Sequence, residues 1–164
     1  MTAILLMGVS GSGKTTVGTL LAGALGTRFV DADSLHSEAN RRKMAAGIPL
    51  NDTDRAPWLT AVGMVLAKGN VVVACSALRR SYRDGLRWAA PDLQLVYLRG
   101  SHALLMQHLA ARRHEFMPPE LLDSQLDTLE PPTGDERAIV ADIDRSPSDI
   151  VAFVVDELRS MEQH

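Results

Sequence analysis

The sequence predicts one α/β domain, a five-stranded parallel sheet flanked by helices. Three observations carry this. Short apolar or β-branched runs alternate with longer stretches of helical periodicity, the pattern of βαβ units. A glycine-rich turn joins the first such run to the first helical stretch. The 164 residues, 46% of them hydrophobic, suit a single substantial core, and no internal repeat or low-complexity linker divides them.

Strands are expected at Ala3–Met7, Arg28–Asp31, Val71–Cys75, Gln94–Arg99 and Ala138–Asp142. Between the first two, Val17, Leu20, Leu21, Ala24 and Leu25 recur at helical spacing, and Gly26 stands where a helix would end. Leu59, Val62, Gly63 and Leu66 form a second buried stripe, stopped by Gly69. Ile150, Val151, Val154, Leu158 and Met161 form a C-terminal one. Ile48–Pro57, Arg113–Pro119 and Glu130–Gly134 lack clear periodicity. In such a sheet they read as loops over the C-terminal strand ends, where ligands bind. A substrate flap is expected at about residues 35–57 and a mobile lid at about 112–122.

A net charge of −3 argues against a nucleic-acid binder, which would carry a basic face. Cys75 is the single cysteine, so an internal disulfide is excluded and a reducing compartment, the cytoplasm, is expected. The apolar run from Thr2 to Met7 lacks a preceding basic region and reads as a buried strand rather than a signal segment. Neither a membrane-length apolar run nor a C-terminal prenylation signal is present. No membrane anchor is expected.

Gly8-Val9-Ser10-Gly11-Ser12-Gly13-Lys14-Thr15 fits G-x-x-x-x-G-K-[ST] between a strand and a helix. Glycines let the backbone curl so that successive N–H groups face inward, and the helix N-terminus adds its pull on phosphate oxygens. Residues Gly8 to Thr15, with Thr16 following, are therefore the candidate ATP site. Lys14 should reach the β- and γ-phosphates and the Thr15 hydroxyl should bind Mg²⁺.

A GTPase would carry N-K-x-D, which is missing here, and an AAA-type ATPase would be much longer. The run Val71–Cys75 ends without the aspartate that P-loop ATPases use to hold Mg²⁺. Carboxylates lie instead after the second strand. Strand alternation would send Asp31 and Asp33 to one side at its C-terminal end. Asp31 could then organise Mg²⁺ while Asp33 orients an acceptor hydroxyl and takes its proton. A helix cap or a solvated loop is the other reading of the pair. His36, Asn40 and Lys43 follow at i, i+4 and i+7, a donor row suited to a polyhydroxylated acid or equally a solvated face. Arg79, Arg83 and Arg87 form a basic stripe, read as a carboxylate or phosphate clamp or as an exposed charged face.

With D-x-D-x-L-H at Asp31–His36, the box Asp54-Arg55-Ala56-Pro57-Trp58-Leu59, and Cys75-Ser76-Ala77-Leu78-Arg79, the chain resembles the short P-loop gluconokinases. Further matches run through Lys43–Asp52, Ser124-Gln125, Leu129-Glu130-Pro131 and Val140–Asp144. The resemblance implies a nucleoside-monophosphate-kinase-like core with a mobile lid, a homodimer, and ATP-dependent conversion of D-gluconate to 6-phospho-D-gluconate, feeding the pentose phosphate pathway. It also implies a gluconate site drawn from Asp33, His36, Lys43, Arg55, Arg79 and Arg83. In the lid the chain reads Arg112-Arg113-His114-Glu115-Phe116 where the family usually has Arg-x-x-His-Phe. A lid arginine in related kinases closes over the phosphates, and either Arg112 or Arg113 could do so. The remaining alternatives are a shikimate kinase, which would need a glycine-rich turn where Cys75-Ser76 stands, and a nucleotide-binding module without turnover.

Overall fold

The computed structural model describes residues 2–111 and 119–163. The order of elements is β1 (Ile4–Met7), α1 (Lys14–Leu25), β2 (Arg28–Asp31), a 3₁₀ turn (Ala32–Leu35), α2 (Glu38–Ala45), α3 (Asp52–Ala67), β3 (Val71–Ala74) and α4 (Arg80–Ala89). Then follow β4 (Gln94–Arg99), α5 (His102–Ala111), α6 (Pro119–Thr128), a second 3₁₀ turn (Gly134–Glu136), β5 (Ile139–Asp142) and α7 (Pro147–Glu162). The strands pair in parallel in the order β2-β3-β1-β4-β5. All five expected strands are present, with Ala3, Cys75 and Ala138 just outside the ladder.

The continuous apolar runs follow from a sheet covered on both faces. Along β1, Ile4 and Leu6 enter one core with Val17 and Leu21 of α1 and Ile150 and Val154 of α7. Leu5 and Met7 enter the other with Trp58, Val62 and Leu66 of α3 and Leu86 of α4. Gly63 in the α3 stripe lets the two helices close up, because a Cβ there would lie 2.9 Å from that of Ala89.

The stretch Ile48–Pro57 departs from expectation. Helix α3 begins at Asp52, ahead of the proline, because Asn51 and Asp54 cap each other reciprocally. The Asn51 side chain accepts the Asp54 N–H at 2.8 Å and the Asp54 carboxylate accepts the Asn51 N–H at 3.1 Å. Pro57 therefore sits within a helix and leaves one carbonyl a turn earlier without its usual donor. Similarly, part of Glu130–Gly134 leads into the second 3₁₀ turn rather than a plain loop.

Candidate active site

The order β2-β3-β1 brings three strand ends side by side, and the first loop leaves β1, the central strand of the five. Its shape needs glycine: at Gly8 a Cβ would stand 2.6 Å from Ser12 Oγ, and Gly11 and Gly13 hold φ of 86° and 90°. Gly13 caps α1 without a side chain, and no acidic residue occupies the first turn. That leaves a positive helix end for an anion. Thr15 and Thr16 are exposed there. Lys14 Nζ donates to Gly8 O at 2.9 Å and Val9 O at 3.2 Å, so the cation arches over the loop. Ser12 Oγ is the one buried side-chain polar atom without a partner among the described residues.

Two residues far along the chain brace this loop. Gln125 Oε1 on α6 accepts the Ser10 N–H at 2.7 Å, and His108 Nδ1 on α5 donates to Gly11 O at 2.8 Å. No sequence motif marks His108, and Gln125 stands out only within the Ser124-Gln125 family match. Neither contact has a short-range signature.

At the second strand end, Asp31 is in register with Ala74 of β3, which is itself in register with Leu6 of β1. Asp31 Oδ1 accepts the Asp33 N–H at 3.0 Å and so caps the 3₁₀ turn. Asp33 thus leaves from the turn and not from the strand, and simple strand alternation does not place it. The two carboxylates and Lys14 nevertheless gather at one edge. Burial pushes the Cys75 thiol up to about 12, against a backbone hydrogen bond at Ala77, while Asp33, Lys14 and Asp31 all lie near enough to act on it.

The flap is built around Trp58, whose Nε1 donates to Ala32 O at 2.7 Å. His36 stacks on that indole with ring centroids 4.3 Å apart and planes 9° apart. It precedes Ser37, the cap of α2, so His36, Asn40 and Lys43 are not one helical face. They meet otherwise. Asn40 Nδ2 binds both His36 Nδ1 at 3.2 Å and Asp54 O at 2.9 Å, and Lys43 Nζ sits 3.0 Å from both Asp54 carboxylate oxygens. Hydrogen bonds from Asn51 and Lys43 hold the Asp54 carboxyl below its usual range. Arg55 donates to Tyr82 Oη at 3.2 Å with its guanidinium over that ring.

The arginine stripe divides. Arg79, the N-cap of α4, is exposed and makes no side-chain hydrogen bond or ion pair among the described residues. Arg83, expected in the gluconate site, is instead 3% exposed and fully committed inside the protein. Its Nε and Nη2 bind the Glu136 carboxylate at 2.7 and 3.1 Å, and its remaining donors reach Ala77 O, Leu78 O and Glu130 O. Ala77, a buried residue at φ 45°, turns the chain there. Arg87 binds Leu93 O and Glu136 O. With its five N–H groups spent, Arg83 shapes the wall on which Arg79 stands. Arg112 and Arg113, and the rest of the lid over 112–118, lie outside the described residues.

Known proteins bear on this geometry at three levels. A family model described as an AAA domain matches residues 4–132. Length alone therefore does not exclude the AAA-related core, contrary to expectation. A solved shikimate kinase from Bacteroides thetaiotaomicron shares the fold, with TM-score 0.71 and 96% of this chain and 98% of that one covered, at 17% identity. A gluconokinase structure from Sinorhizobium meliloti 1021 is 47% identical with TM-score 0.90, covering 98% of this chain and 93% of that one. A probable gluconokinase of Mus musculus is 45% identical over 95% of this chain and 97% of its own length. Identity of this order, end to end and on the same fold, is kinship rather than shared architecture: the chain belongs to the gluconokinase family.

Proposed function

We propose that the protein transfers the γ-phosphate of ATP to D-gluconate, yielding 6-phospho-D-gluconate. The observation that carries this reading is the gathering of the phosphate loop, Asp31 and Asp33 at one sheet edge, beside a flap with neutral and cationic donors. Gly8 to Thr16 would hold ATP. The donor set fits Mg²⁺ too: that ion keeps several waters and takes one or two protein oxygens beside the phosphates, and Thr15 and Asp31 would supply them. When bound, Mg²⁺ offsets the phosphate charge that develops during transfer.

Asp33 is the proposed base for the acceptor hydroxyl, and Arg79 the partner of the gluconate carboxylate, aided by Arg55, with His36 a further gluconate contact. Lys43 acts through Asp54, which it holds in place. Arg112 or Arg113 closes over the phosphates. Cytoplasmic location and homodimerisation belong to the same reading; among the described residues no helix is long and apolar enough to cross a membrane.

The deciding assay is ADP release with gluconate, with shikimate, and with no acceptor. Gluconate-dependent turnover, lowered by several orders of magnitude in Lys14→Ala, supports the proposal. Turnover on shikimate alone, or none with any acceptor, refutes it.

A further inference from the structure

His36 is placed with a specificity that neither its burial nor its stacking requires. Its ring lies on Trp58, it is 8% exposed, and Asn40, 6% exposed, stands beside it. The orientation of the Asn40 amide is fixed independently of the histidine. Its Nδ2 donates to the backbone carbonyl of Asp54 at 2.9 Å, and turning the amide over would set Oδ1 against that carbonyl oxygen. The second N–H of the same group is the atom that meets His36 Nδ1 at 3.2 Å. A donor on one side requires an acceptor on the other, so Nδ1 carries no proton. The proton of the neutral ring is then on Nε2, and among the described residues no hydrogen bond engages Nε2.

Resting on the gluconate reading of this site, we infer that Asn40 is a positioning residue that locks His36 as the neutral Nε2–H tautomer. The flap thereby offers one fixed N–H donor to an oxygen of the polyhydroxylated acid. A neutral donor suits a hydroxyl oxygen, leaving the carboxylate to the arginines. An imidazolium would place an N–H against the Asn40 N–H. The charged groups around the ring agree. Burial lowers the His36 pKa, Asp33 on the 3₁₀ turn opposes, and Arg41 on α2 and Arg55 on α3 lower it further. The ring therefore stays neutral to lower pH than an ordinary histidine, and the acid loss of acceptor binding should be displaced in the same direction.

The test is the ¹⁵N–¹H correlation spectrum of the full-length enzyme labelled at its five histidines, with His36 assigned from a His36→Gln variant. The wild-type spectrum near neutral pH should show a protonated Nε2 and an unprotonated Nδ1 without any acceptor present. In Asn40→Leu the two tautomers should mix, and KM for gluconate should rise about fivefold to tenfold with kcat and KM for ATP within about twofold, a loss on the scale of one hydrogen bond. In Asn40→Asp, the carboxylate should draw a proton onto Nδ1 and move the His36 titration upward, and the acid limb of kcat/KM for gluconate should move with it. A wild-type His36 protonated on Nδ1, or a KM unchanged in Asn40→Leu, overturns the inference. Because the spectrum is read without acceptor, the tautomer stands or falls separately from the choice of gluconate.

Discussion

Replacing Arg83 by Met should unfold the protein more readily rather than weaken its hold on gluconate. The substitution keeps the bulk of the aliphatic stem and removes the guanidinium. It leaves the Glu136 carboxylate buried without its cation and strips donors from Ala77 O, Leu78 O and Glu130 O. Breaking a buried pair by removing one partner costs about 3–5 kcal/mol. For a chain of this length each 1 kcal/mol lowers Tm by roughly 2–4 °C, so the fall should be on the order of 6–20 °C. Urea unfolding and calorimetry measure it. Adding Glu136→Leu should recover only part, because the carbonyls and the Thr133 N–H that Glu136 accepts stay unsatisfied at ~1–3 kcal/mol each. The pair also has a pH signature. Burial works to raise the Glu136 pKa, but the Arg83 and Thr133 hydrogen bonds prevail and hold it below its ordinary value. A depressed carboxylate stabilises the fold above its unfolded pKa, and that contribution disappears as pH falls through the folded one. Wild-type stability should therefore drop in acid more steeply than that of Arg83→Met. If the variant melts within about 2 °C of wild type, a loss of no more than ~1 kcal/mol, while KM for gluconate rises tenfold, Arg83 is a ligand clamp and the structural reading is wrong.

Other outcomes follow from the same geometry. Asp33→Asn should keep ATP affinity and lose about 10²–10⁴ in kcat, whereas Asp31→Asn, which still caps the 3₁₀ turn, should be partly rescued by added Mg²⁺; rescue of Asp33→Asn instead would reverse their roles. Gln125→Leu removes the acceptor of the Ser10 N–H and should raise KM for ATP about threefold to tenfold, an idea ended by an unchanged KM. Arg79→Gln should raise KM for gluconate about tenfold; a change in ATP affinity alone would assign it to the nucleotide. Cys75, buried and pushed up to about 12, should resist thiol reagents at mild alkaline pH until urea is added, and rapid labelling of the folded enzyme would contradict its placement.

The sheet was legible because both faces of its inner strands are covered, which makes β1 and β3 plain apolar runs, and because the glycine-rich loop has to follow one of them. The start of α3 was obscured by Pro57, since proline ordinarily ends periodicity, while the Asn51 and Asp54 cap that overrides it reads as loop composition. Arg79, Arg83 and Arg87 look alike at a spacing of four. What separates them is Glu136, distant in sequence, which draws Arg83 and Arg87 inward and leaves Arg79 outside. His36, Asn40 and Lys43 were grouped as one helical face, but only Asn40 and Lys43 share α2: both reach Asp54, and His36, ahead of the helix, joins them through Asn40.

The braces on Ser10 and Gly11 come from Gln125 and His108, 115 and 97 positions downstream. A chain emerging from the ribosome thus carries the whole phosphate-loop motif long before it can hold the loop's working shape. β1 likewise waits, since its two neighbours are β3 and β4 and not the strand made next. Pairings this distant in sequence close late, because the entropy of the intervening chain must be overcome first. Nucleotide should therefore have little to grip on nascent chains shorter than about the α6 boundary, making ATP a ligand of the finished protein and a poor template for its synthesis.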